Sequence, residues 1–111
     1  MTYERFDVVV VPFPFTDSSA DKRRPAVVIS HGKAFNAPAG HSVMAMITSA
    51  DNAPWPLDRP IRDLSAVGLR APSVVRMKLF TLDHRFVLRR AGKLSNRDGK
   101  AVAATLKTLL G

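Results

Sequence analysis

The sequence contains no cysteine, which excludes disulfides and thiolate metal sites. It also lacks a long apolar run. The longest, Val8 to Phe15, is interrupted by Pro12 and Pro14 and falls well short of the roughly 20 residues that a spanning helix needs. No charged-then-apolar leader opens the chain at Met1-Thr2-Tyr3-Glu4-Arg5. The expectation is a cytoplasmic protein with no membrane partner. The glycines are isolated, so there is no Gly-rich phosphate loop, and the Gly-x-Ser-x-Gly elbow of serine hydrolases is missing. His31, His41 and His84 are scattered, with no pair at ligand spacing, and the carboxylates form no Asp-x-Asp cluster. Neither a zinc nor a magnesium centre is expected, and no cofactor.

Acidic residues are the scarce charge. Nine of them face 17 basic residues, a formal net charge of +8. Arginines outnumber lysines, and the planar guanidinium suits phosphate better than a point charge does. A nucleic-acid backbone or an acidic protein is the partner class this favours. Hydrophobic residues make up 46% of 111 positions, which excludes general disorder and fits one domain over residues 1–111 with one modest core.

Along the chain, Asp7 to Phe13 is a β-branched run that reads as a buried strand. A polar loop, Thr16 to Arg24, leads to Pro25, which opens a second strand over Ala26-Val27-Val28-Ile29-Ser30. His31 to Gly40 reads as a loop, Ser42 to Thr48 as a third strand, and Trp55 to Ile61 as a short edge segment limited by proline. Ser73 to Leu82 alternates Val75, Met77 and Leu79 with Arg76, Lys78 and Phe80, predicting one buried and one partly basic face. Arg85 to Leu94 is expected to pair with it as a hairpin through Asp83-His84. Ser95 followed by Asp98 resembles a capping box, and Val102, Leu106, Leu109 and Leu110 recur at helical spacing. Five or six short strands and one terminal helix argue for a mainly β fold, a small SH3-like β-barrel with a C-terminal α-helix.

The remaining candidates for chemistry are cations and hydroxyls at strand edges. Lys22-Arg23-Arg24 enters a strand, Thr48-Ser49 ends one, and Arg76 and Lys78 share a face two residues apart. Singly, each has an ordinary reading as a solvated charge run or a strand-end turn. Phe6, Phe13, Phe15, Phe80 and Phe86 sit in apolar runs and are expected in the core. Trp55, between Pro54 and Pro56, is open to either a dimer or a substrate contact.

The set as a whole resembles the MazF/PemK toxins of bacterial toxin–antitoxin pairs. The residues that carry the resemblance are Asp7-Val8-Val9-Val10-Val11-Pro12-Phe13, Arg24-Pro25-Ala26-Val27-Val28-Ile29-Ser30, Phe35-Asn36, Ile47-Thr48-Ser49, Pro72-Ser73-Val74-Val75-Arg76 and Gly92-Lys93-Leu94-Ser95. They run in order over essentially the whole chain. The resemblance implies a homodimeric toxin that cuts single-stranded RNA, often mRNA, without metal, and is neutralised by a cognate antitoxin. It implies catalytic roles for Arg24, Thr48 and Arg76; beside them, Lys22, Arg23, Ser49, Lys78 and Asp17 are substrate-binding candidates by charge and position. Lys78 stands where some PemK-type members have a carboxylate, and the first loop departs from the family pattern. The general base is therefore unassigned between Asp17, Asp21 and no base at all. Two other readings are a non-catalytic toxin of the same fold acting on DNA gyrase, and a generic basic nucleic-acid-binding barrel.

Overall fold

The structure is a computed structural model that describes residues 2–13 and 22–111. Six strands form one antiparallel sheet: β1 (Asp7–Pro12), β2 (Arg23–Val28), β3 (His41–Ser49), β4 (Arg59–Pro60), β5 (Ser73–Asp83) and β6 (Arg89–Lys93). Their spatial order is β4-β5-β3-β2-β1-β6. The sheet curls into an open half-barrel, and α1 (Asn96–Leu110) closes the chain. No helix among the described residues is long and apolar enough to cross a membrane.

The central strands are buried on both faces, which is why β1 reads as a continuous apolar run rather than an alternating one. Val8, Val27, Ala45, Ile47 and Val75 face a core completed by Val102 and Leu106 of α1. Val9, Val11, Ala26, Val28 and Met44 face the other way, under Tyr3 and Leu82. Burying Val102 and Leu106 stabilises the docked helix by about 1.5–3 kcal/mol each, whereas Leu109 and Leu110 stay exposed. At Gly92 a Cβ would lie 2.2 Å from the Ala66 carbonyl oxygen, so glycine alone lets β6 approach the 3₁₀ turn Leu64–Val67.

Three expectations are corrected. The segment after β5 does not pair with it. The 3₁₀ turn His84–Phe86 redirects the chain, Leu88 N–H donates to the Val10 carbonyl, and β6 pairs with β1. The second strand starts at Arg23 rather than at Pro25; Pro25 lies in a stretch paired with β1 alone, ahead of the first rung to β3 at Ala26. The helix cap is half a capping box. Ser95 Oγ accepts the Asp98 N–H at 3.2 Å, but the Asp98 carboxylate turns away and accepts the backbone N–H groups of Arg62 and Asp63 at 2.9–3.1 Å. The loop His31 to Gly40 carries short helical turns, Gly32–Asn36 and Ala37–Ala39, anchored by the buried Asn36 amide on the carbonyls of Tyr3 and Ser30.

Candidate active site

Residues two apart in a strand share a face. Ala26 pairs with Met46, and Met46 with Arg76, so these three form one row across β2, β3 and β5. Continuing the β2–β3 register by two residues sets Arg24 level with Thr48. Arg24, Thr48 and Arg76 therefore project from the sheet face opposite α1. Together with Lys78, Phe13 and Phe80 they line a cleft of about 340 Å³. The cleft opens where β2 runs beyond its pairing with β3.

Lys78, two residues on from Arg76, reaches the same place by alternation, beside a β-bulge. Between Ala45 and Met46 the β5 register jumps from Leu79 to Arg76, leaving Met77 and Lys78 as extra residues. Met77 stays in the core, while Leu79, expected there by alternation, is 38% exposed at the cleft. Such insertions re-aim side chains next to sites. Phe80 packs against the cluster under Tyr3 and Leu82, as expected, and also lines the cleft; Phe13 departs from expectation by lining the cleft, and Phe86 is exposed.

The loop after β3 folds over this cleft. Arg76 Nε donates to Asp58 Oδ1 at 3.2 Å, and its Nη2 donates to Asp58 Oδ2 at 2.9 Å and to the Ala53 carbonyl at 2.8 Å. These hydrogen bonds to Asp58 raise the Arg76 pKa above the ordinary arginine value; partial burial opposes the rise and the Asp58 charge adds to it. Arg76 is a fixed cation. Its Nη1 has no partner among the described residues, which leaves an N–H edge for a ligand. Asn52 Nδ2 donates to Thr48 Oγ1 at 2.6 Å, so the Thr48 hydroxyl proton remains available as a donor. The Arg24 guanidinium lies 5.9 Å from the Phe13 ring centroid and has no carboxylate partner among the described residues.

The other candidates lie elsewhere. Arg23, next to Arg24, points to the opposite face and lines a second groove with Val10, Leu88 and Arg89. Ser49 is exposed and its Oγ accepts the Asp51 N–H. Lys22 is exposed, with its carbonyl held by Phe13 N–H. Asp17 and Asp21 lie outside the described residues. Asp58, Asn52 and the Ala53 carbonyl were missed by sequence reasoning. The one available signal was a carboxylate, Asp58, in a proline-bounded loop directly after a strand-end hydroxyl.

A second polar cluster sits at the other end of β3. His84 Nε2 lies 2.7 Å from the buried Ser42 Oγ, and the Tyr3 ring meets the imidazole edge-on at 4.9 Å. Burial, then repulsion from His41, lowers the His84 pKa. Asp83 is pulled down to about 2 by hydrogen bonds from Arg85. Ser42 is wholly enclosed, so this cluster offers no accessible nucleophile. Among the described residues no three His, Cys, Asp or Glu side chains gather to hold a metal ion.

The sequence from residue 4 to residue 110 matches the family described as the PemK-like, MazF-like toxin of type II toxin–antitoxin systems. The chain belongs to this family. Endoribonuclease activity is known for MazF/PemK toxins. This MazF-like chain also shares its fold with solved structures. A MazE–MazF complex from Deinococcus radiodurans matches at a TM-score of 0.77 and 22% identity, over 100% of this chain and 98% of that one. The toxin MazF-mt6 of Mycobacterium tuberculosis matches at 0.72 and 20% identity, over 94% and 95%. An endoribonuclease in complex with its cognate antitoxin, from a mycobacterial species, matches at 0.75 and 16% identity, over 98% and 93%. No curated protein matches the sequence of this MazF-like chain.

Proposed function

We propose that this MazF/PemK toxin, with residues 1–111 acting as one domain, is a metal-independent endoribonuclease of the cytoplasm that cuts single-stranded mRNA. The observation that carries this reading is the meeting of Arg24, Thr48, Arg76 and Lys78 in one cleft. RNA supplies its own nucleophile, the 2′-hydroxyl, which DNA lacks. That oxygen attacks the adjacent phosphorus and the P–O5′ bond breaks, giving a 2′,3′-cyclic phosphate and a 5′-hydroxyl. The protein must relieve the 2′-hydroxyl of its proton, stabilise the charge of the pentavalent phosphorus and protonate the departing oxygen.

Arg24 and Arg76 serve the second need. Arg24 is uncompensated by any described carboxylate, and Arg76 offers its Nη1 edge while Asp58 fixes its orientation. An arginine with a pKa above about 12 is a poor proton donor, so both act by charge. Thr48 donates its hydroxyl proton in a hydrogen bond to a phosphate or leaving oxygen, with Asn52 holding it in place. Asp58 is committed to Arg76, so proton abstraction is assigned to no described residue. A homodimer and an antitoxin whose acidic segment lies along the same basic cleft complete the reading, supported by the +8 charge.

The test is incubation of the purified protein with end-labelled single-stranded RNA in a chelator, followed by chemical identification of the new ends. Cleavage to cyclic phosphate and 5′-hydroxyl ends is expected. Cleavage that the chelator abolishes would refute the metal-free mechanism. Binding without cleavage would identify a nucleic-acid-binding barrel, and lethality in cells without RNA cleavage a toxin with another target.

A further inference from the structure

Trp55 is the only tryptophan in the chain, and it stands 42% exposed although so large a ring is ordinarily well buried. It is held in place with care. The Trp55 carbonyl accepts the Asp58 N–H at 3.1 Å, closing a turn around Pro56 and Leu57. Leu57 sits at φ +67°, a position where turns favour glycine or asparagine and a leucine is strained. Trp55 N–H donates to Asp58 Oδ2 at 3.1 Å, the same oxygen that accepts from Arg76 Nη2. One carboxylate therefore orients both the ring-bearing backbone and the cleft arginine. The Lys78 ammonium lies 4.7 Å and the Arg76 guanidinium 5.9 Å from the ring centroid.

An RNA strand alternates a charged phosphate with a flat base. At the rim of this cleft, a held Arg76 and an exposed Lys78 stand beside a partly bare indole on a turn closed by Asp58. Core packing explains neither the exposure nor the strained turn, and a solvated charge patch needs no aromatic. We infer that Trp55 is a base-stacking residue, which receives the base next to the phosphate held at Arg76 and Lys78. Stacking is tolerant of base identity because every base has a π-face, so Trp55 sets the position of the strand more than its sequence. This inference rests on the nuclease reading for the identity of the ligand.

Because the chain has one tryptophan, its emission reports on this site alone. The probes are a fluorescein-labelled 2′-O-methyl RNA oligomer, which lacks the free nucleophile, and an abasic backbone of equal length and charge. Saturable quenching of Trp55 by the base-bearing oligomer, with little from the abasic one, is expected. Trp55→Ala should weaken binding of the base-bearing oligomer by about 5- to 150-fold, the range for losing one stacked base, and leave abasic binding nearly unchanged. Trp55→Phe should recover most of the loss. Oligomer binding seen by anisotropy with no change in Trp55 emission would overturn the inference. So would Trp55→Ala affinity equal to wild type, or a Trp55→Ala protein whose sole defect in sedimentation is loss of a dimer. RNA cleavage by the wild type separates the two claims. Cleavage with silent Trp55 sinks the stacking site alone, while quenching with uncut RNA sinks the nuclease reading alone.

Discussion

Arg23 and Arg24 are neighbours in sequence yet open onto different grooves of nearly equal volume, about 330 and 340 Å³. Strand alternation sends them to opposite faces. The Arg23 groove pairs its cation with Arg89 among Val10, Pro25, Leu69 and Leu88. The Arg24 groove adds the Thr48 hydroxyl, the Asn52 amide and an arginine clamped by a carboxylate. Both present arginine to a groove, but only the second combines oriented donors with charge. Positive potential locates a nucleic acid; fixed hydrogen-bond geometry acts on it.

The contrast is broken most directly by exchanging arginine for alanine on each side. Arg24→Ala should lower the RNA cleavage rate by about 10²–10³, the size of one lost preorganised contact, whereas Arg23→Ala should stay within a few-fold of wild type. Equal losses in a single-turnover assay would remove the distinction. Next in size, Asp58→Asn keeps the loop's shape but weakens the grip on Arg76. A fall of about 10- to 100-fold is expected, from the worth of a hydrogen bond to a charged group, with RNA affinity less affected than the rate.

The cations of the two grooves were legible from sequence to different degrees. Arg24 and Arg76 fell within motifs, and period 2 put Arg76 and Lys78 on one face. The strands β1 and β3 and the Ser95 cap followed from local pattern, because burial and capping act over a few residues. The partner of β6 did not, since strand adjacency is settled by the closure of the whole sheet, and Phe13 looks like a core residue until the open end of β2 is seen. The pairing of Asp58 with Arg76 was missed for the same reason: they are 18 residues apart, and nothing local couples them.

Smaller effects sharpen the comparison further. Arg23→Ala combined with Arg89→Ala should leave the cleavage rate of bound RNA unchanged. If both contact the strand, the slope of log affinity against log salt should flatten by about 1.4, at roughly 0.7 per phosphate contact on single strands. An unchanged slope would leave the second groove without a role in binding. The least effect comes from His84, which lines neither groove. Its folded pKa is lowered by burial, so the unfolded chain takes up the proton first. Stability is full above the ordinary value of 6.5 and declines as pH falls through the folded value. Melting temperature should therefore drop on acidification below 6.5, and His84→Gln should flatten the drop. A wild-type melting curve insensitive to that range would contradict it.

The two extra residues of β5 have a mechanical consequence. They divide the long β3–β5 ladder into two separately registered halves, His41 to Ala45 with Leu79 to Asp83, and Met46 to Ser49 with Ser73 to Arg76. On the other side of β3 the pairing with β2 runs unbroken across the same point, from Met44 to Met46. The discontinuity thus separates the half of the ladder that carries Thr48 and Arg76 from the half that carries Ser42 against His84, while β2 keeps both on one strand.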